Sequence, residues 1–182
     1  MTSESVIPFK PDTPGVRSAR LRSLVCYWTK KRGDRPMPSR DDIDPLEIPG
    51  LLPIALLADV AGTRARIRLL GTEATAAYGA ECRGTLLDDI ELGDFTSAAA
   101  KILSMVLVSQ KPAAAAGAFE SRRELNRVEM VLTPLSYDGH AISHIFGGLI
   151  IKPVARVKLI ERRMPITYIS NAVDAGISRT AR

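Results

Sequence analysis

The sequence predicts an α+β domain in which one five-stranded antiparallel sheet carries the internal helices on one face, preceded by a separate amphipathic helix. Three observations predict it. Apolar or period-two runs stand at both ends of the central region, at 54–70 and 113–151. Helical spacing fills the interval between them, and glycine or proline closes most of the runs. A length of 182 residues suits one compact domain with tails, and 46% hydrophobic with 25% charged residues is the composition of a protein that buries a core.

The elements follow in order. Residues 1–15 carry Pro8, Pro11, Pro14 and Gly15 among polar residues and read as a flexible arm. From 16 to about 31, Leu21, Leu24, Val25 and Trp28 recur at three- and four-residue spacing between arginines, the face of an amphipathic helix that Gly33 stops. Five prolines between 34 and 53 restrict that connector to single helical turns, which Asp41, Asp42 and Asp44 are placed to cap. Residues 54–60 and 65–70 form a hairpin across Ala61-Gly62-Thr63.

A short helix over 72–80 ends at Gly79. A longer one over 97–110, with Asp94 as its cap, shows Ile102, Leu103, Val106 and Leu107 on one face until Lys111-Pro112 breaks it. Residues 113–119 are alanine-rich and are assigned to a strand from context. Residues 125–135 alternate, Asp138-Gly139 turns the chain, and 141–151 returns as an apolar strand. The domain therefore spans 16–152, leaving 153–182 as a tail.

Charge places that tail apart. The formal net charge is +5, and the excess sits in 152–182, where Lys152, Arg156, Lys158, Arg162, Arg163, Arg179 and Arg182 face only Glu161 and Asp174. Such a tail is either a solvated extension or an adaptor surface for nucleic acid or anionic membrane. No run approaches the ~20 apolar residues that span a bilayer, and the first residues lack a secretory core, so the expected location is cytoplasmic. Cys26 and Cys82 with His140 and His144 make neither a disulfide framework nor a zinc set, so no metal is expected.

Two polar groupings bear on chemistry. Asp41, Asp42, Asp44 and Glu47 form an acidic cluster, read either as acid–base or cation-binding groups or as a network braced by Arg32, Arg35 and Arg40. The second reading needs no further ligand. His140 and His144, four apart, lie on one face if both belong to a strand, about 13 Å from each other. They then offer a pH-sensitive pair, against which stands an ordinary turn histidine beside a strand histidine. A phosphate-binding glycine loop and a Gly-x-Ser-x-Gly nucleophile elbow are both missing from the sequence, and no enzyme activity is expected.

Several motifs together resemble one family. Trp28, Arg32-Gly33, Arg35, Met37-Pro38-Ser39-Arg40, Asp42-Ile43-Asp44-Pro45 and Ile48-Pro49 match the opening signature of a bacterial family of stand-alone PAS proteins. Leu69-Leu70-Gly71-Thr72, Gly79 with Gly84, Pro134-Leu135-Ser136, Asp138-Gly139 and Gly147-Gly148 continue the resemblance over roughly 20–152. It implies the PAS fold and a sensory or regulatory role, binding a small-molecule signal or a protein partner without catalysis.

Within that fold a small molecule lies between the sheet and the long helix, where Tyr78, Phe95, Leu103, Met105, Met130 and Phe146 are the candidate lining, with plain core as the alternative. The cofactor is unknown. Haem is disfavoured because the long helix holds no histidine. Photoactive flavin is disfavoured because Glu81 replaces the asparagine of the required motif and Cys82 precedes Gly84. The amphipathic helix must bury its stripe on its own sheet or on a second copy. Through the second, Leu21, Leu24, Val25 and Trp28 are the expected homodimer interface, with Trp28 as anchor. With no effector attached, a protein signalling partner is expected as well.

Overall fold

Ser18 opens the first helix by accepting the Leu21 amide, and Gly33, at φ 55°, closes it with its amide on the Thr29 carbonyl; α1 is Ala19–Arg32. In the computed structural model of the chain, residues 6–7, 16–93, 95–121, 124–154 and 167–170 are described. The connector keeps helix only as 3-10 turns, at Arg40–Asp42, Pro45–Glu47 and Leu52–Ile54, as its prolines require. Ser39 and Asp42 form a capping box on the first turn and Asp44 caps the second, so Asp41 is not one of the caps. Helix α2, Thr72–Tyr78, ends at Gly79, whose φ of 88° is left-handed. Helix α3 is Phe95–Ser109; the cap expected at Asp94 lies outside the described residues.

The five expected strands form the body of the sheet: β2 Ala55–Ala61, β3 Arg64–Leu70, β4 Ala113–Ser121, β5 Glu124–Ser136 and β6 Ile142–Pro153. Two short strands lengthen it at one edge, β1 at Val6–Ile7 and β7 at Thr167–Ser170, giving the order β1-β7-β4-β5-β6-β2-β3. Every pairing is antiparallel except β1 with β7. These two pieces come from the arm and the basic tail. The expected flexibility of the one and the contacts of the other otherwise fall on residues outside those described. Among the described residues no helix is long and apolar enough to cross a membrane.

Both faces of the central strands are covered. On the inner face Leu56, Ala58, Ile67, Ala113, Ala115, Val128, Met130, Ile145 and Leu149 pack with Phe95, Ile102, Leu103 and Val106 of α3. On the outer face Ala114, Val131 and Ile150 meet Val16, Leu21 and Val25, while Leu135 and Phe146 meet Leu24, Trp28 and Met37. The internal helices thus share one face and α1 takes the other. A strand lying between two helical layers has little room on either side, and the alanines at 113–116, all buried, fit that space where larger residues would not.

Gly148 sets how closely α1 approaches, and Gly147 how closely β6 lies against β5. A Cβ on Gly148 would stand 2.7 Å from Leu21 Cδ2 and 3.1 Å from Leu24 Cδ1, and one on Gly147 would collide with the Val131 carbonyl oxygen. Leucine methyl groups can turn aside; a strand carbonyl cannot. Gly148→Ala should therefore cost about 1–3 kcal/mol, the usual price of overpacking, and Gly147→Ala should cost more. Urea unfolding of the two variants checks this, and equal or negligible losses would show that the approach is looser than the contacts indicate.

Candidate functional site

The space between the sheet and α3, where five of the six expected pocket residues point, is filled by side chains. Phe95 and Met130 are wholly buried, Leu103 nearly so, and Tyr78 and Met105 pack at the edge of the same cluster. The Tyr78 hydroxyl accepts the Glu91 amide at 3.2 Å. Phe146 is not among them: it lies on the outer face, edge-on to Tyr27 at 6.4 Å, because its parity on β6 is opposite to that of Ile145 and Leu149. None of the cavities described below is lined by any of the six.

The stripe expected to meet a second copy is likewise occupied. Leu21, Leu24, Val25 and Trp28 are buried on the chain's own sheet, and the Trp28 indole donates to the Pro134 carbonyl at 2.8 Å. This is the first of the two placements open to the helix, and it consumes the apolar face that a dimer through these residues would need. Cys82, buried in the inner core, has its thiol pushed up by burial and then by Glu81, away from a reactive thiolate.

The acidic cluster is divided among structural tasks. Asp42 accepts from the Ser39 amide and from Arg35, both at 2.7 Å. Burial works to raise its carboxyl, yet those two donors outweigh it and hold the group below its ordinary value. Asp44 receives the Leu46 amide on its side chain, and its own amide donates to the Tyr27 hydroxyl at 2.9 Å. Glu47 pairs with Lys31 at 2.7 Å and is lowered by it. Of the expected bracing arginines, Arg35 pairs with an acid of the cluster, while Arg32 donates to the Arg35 carbonyl at 3.1 Å and stands over the Trp28 ring at 5.9 Å; Lys31 takes Glu47. Among the described residues no group of His, Cys, Asp and Glu is placed to hold a metal ion.

The polar site lies elsewhere, at the part of the outer face that α1 leaves uncovered. There a cleft of about 580 Å³ opens between the connector and strands β2, β3 and β6. Its floor is His144, only 7% exposed. Strand register sets Asp59 of β2 directly opposite it, and the edge-on Tyr137 ring lies 4.7 Å away. Asp59 Oδ2 is 2.9 Å from Arg68 Nε, and Asp59 Oδ1 is 3.6 Å from His144 Nε2. Arg40 and Asp41, in the connector's first turn, form the facing wall.

Both ring nitrogens have hydroxyl neighbours. Ser143 Oγ stands 2.9 Å from Nδ1 and the Tyr137 hydroxyl 3.2 Å from Nε2, and the ring tautomer sets which partner donates in each contact. Burial holds the His144 pKa below its ordinary value; Asp59 and Asp41 oppose the shift, and Arg40 and Arg68 reinforce it. With its pKa held below the ordinary value near 6.5, the imidazole is mostly neutral at pH 7.

His140, expected to share a strand face with His144, instead lies exposed in the turn, with its amide on the Asp138 carboxylate. The amides of His140 and Ala141 and the Ser136 hydroxyl hold that carboxyl far below its usual range. The two histidines make no pair. Sequence reading missed Asp59, Arg68, Tyr137 and Ser143 as site residues. The available signal was a lone acid inside the apolar strand Ala55–Ala61, which asks for a partner across the sheet.

A second cavity, of about 440 Å³, lies between the ends of α1 and α3 against Trp28, Pro36 and Gln110, and it has no buried titratable group. Smaller ones adjoin Glu129 and Arg83.

Comparison with known proteins follows the same lines. No curated protein matches the chain. The solved structure of the PAS domain from Bordetella pertussis BvgS is similar at 16% sequence identity and a TM-score of 0.47, covering 63% of this chain and 86% of that one. The model of the PAS domain family matches residues 16–150, from the residue that leads into α1 to the buried end of β6. On that match, which takes in most of the 182 residues, the chain belongs to the PAS domain family.

Proposed function

We propose that this chain is a sensory PAS module that receives a small polar signal in the outer-face cleft and passes it to a protein partner without catalysis. PAS domains are typically sensory or regulatory modules that bind small ligands or other proteins. The observation that carries the finer reading is that the cleft shares its wall with the connector: Arg40 and Asp41 line it, while the rest of that segment is tied to α1. The ties are Tyr27 with Asp44, Lys31 with Glu47 and the Arg35 guanidinium on the Lys31 carbonyl. A ligand held against the first connector turn therefore acts on the cover of the sheet, and it shifts that cover as far as its affinities for the two arrangements differ. The packed inner face supports the same reading, since a ligand there would have to displace Phe95, Leu103 or Met130.

Native mass spectrometry of the protein purified from its host, followed by a denaturing run on the same sample, tests this. A small molecule retained in the first and released in the second is the expected result; a clean apo mass would turn the reading toward a module that binds protein alone.

The floor of the cleft also makes stability depend on pH. His144 has a folded-state pKa below its unfolded value near 6.5, so below about that pH the unfolded chain binds the extra proton first. Stability should fall as pH drops through the window between the two values and level off below it. His144→Gln should flatten that part of the curve, with Asp59, Arg68, Arg40 and Asp41 left in place. Thermal melts of both proteins from about pH 5 to 8 decide it, and an unchanged slope in the variant would assign the effect to other groups.

A further inference from the structure

The cleft carries a charge pattern that narrows what it takes. Two cations, Arg40 and Arg68, face two carboxylates, Asp41 and Asp59, above a neutral His144, so the site has no net charge. Arg68 and Asp59 satisfy each other at 2.9 Å. Arg40 is half-buried, and among the described residues its guanidinium has neither a hydrogen bond nor an ion pair; the Asp41 carboxylate is in the same position. A plain anion drawn to Arg40 would meet the fields of Asp41 and Asp59, and a plain cation would meet both arginines. A ligand bearing both signs on neighbouring atoms avoids either conflict. Leu57, half-buried on the same outer face, adds apolar surface for the remainder of such a molecule, and the exposed Tyr137 ring forms its rim. A cleft of about 580 Å³ is within the range of small-molecule sites.

We propose that the outer-face cleft binds a zwitterionic α-amino acid, its carboxylate on Arg40 and its ammonium on the carboxylates of Asp41 and Asp59. The inference rests on the cleft being the signal site and names the class of signal. His144 does not touch the ligand in this arrangement; it holds Tyr137 in place through the 3.2 Å contact with the phenol oxygen.

Isothermal titration calorimetry of the full chain with each of the protein α-amino acids tests it, followed, for any that binds, by the matching carboxylic acid without the amine and the matching amine without the carboxylate. The expected result is saturable binding of at least one amino acid, with each single-charge analogue weaker by about tenfold or more. Arg40→Gln should weaken binding to a similar degree. Its turn is held by Ser39 and Asp42, not by the Arg40 side chain, so the variant should fold. Asp41→Asn, at an exposed position, is a second variant expected to weaken binding, whereas Arg64→Gln, paired away from the cleft with Asp88 and Asp89, should leave it unchanged.

Silence across the whole panel overturns the inference, as does equal binding of the carboxylic acid alone or full affinity in Arg40→Gln. A molecule of another class retained on the native protein, with the amino-acid titrations silent, overturns this inference and leaves the sensory reading standing. An amino acid that binds without altering amide exchange in the connector or α1 upholds the inference and overturns the relay.

Discussion

The docking of α1 on the outer face of the sheet is the constraint on which the rest of this structure depends. It is fixed at both ends by groups of the central strand β5. At the start, Glu129, a buried carboxylate, accepts the amides of Arg17 at 2.7 Å and Ser18 at 2.9 Å, placing negative charge at the positive end of the helix. At the far end the Trp28 indole donates to Pro134, whose carbonyl would otherwise be shut away from water. Between them Leu21, Leu24 and Val25 are buried, each worth roughly 1.5–3 kcal/mol relative to exposure. Of the glycines in the other family motifs, Gly148 leaves room for Leu21 and Leu24 of the helix, while Gly147 lies against the Val131 carbonyl of β5 and Gly71 against the Leu52 and Pro53 carbonyls, where a Cβ would collide.

Covering both faces explains which parts of the molecule were legible in the sequence. Helices with polar outer sides kept their three-and-four spacing, so α1 and α3 could be placed within two or three residues, and the 3-10 turns of the connector followed from its prolines. Strand positions were legible for the same reason, through turns such as Gly62 and Asp138-Gly139, with Gly62 and Gly139 at positive φ. Which way each residue faces was not. A strand buried on both sides loses the polar alternation that marks its faces. Phe146, set among apolar neighbours, gives no sign of its layer in the sequence, whereas Phe95 and Leu103, on a helix with a solvent side, stand on the inner layer as their spacing implies.

The cleft was illegible for a different reason. Its floor joins Asp59 and His144 through the pairing of β2 with β6, and its wall comes from the connector, three segments widely separated in the chain. Register between such strands depends on the whole hydrophobic pattern and on a bulge between Leu57 and Ala58, which local spacing does not reveal. The histidines show the consequence. Their separation of four residues suggested a pair on one strand, but the Asp138 carboxylate ties His140 into the turn and leaves His144 to partners from other elements.

The outer cover has two parts, held in different ways. The apolar stripe of α1 holds it to the sheet, and removing it would expose several large side chains at once. The connector is held by polar and apolar contacts together. Lys31 with Glu47 ties it to α1 through a half-exposed ion pair, of a kind worth about 0–1 kcal/mol, and Arg35 with Asp42 is a similar pair inside the connector itself. Met37, Ile43 and Ile48 supply its buried contacts, while Pro45, Leu46 and Glu47 face solvent. The connector is also joined directly to β5, the Ser136 amide donating to the Pro38 carbonyl at 3.1 Å beside a bridge between Ser39 and Ser136. The first turn, with Arg40 and Asp41, thus stands between β5 on one side and α1 on the other, and on the proposed sensory reading a ligand there acts first on that turn and on the helix only through it.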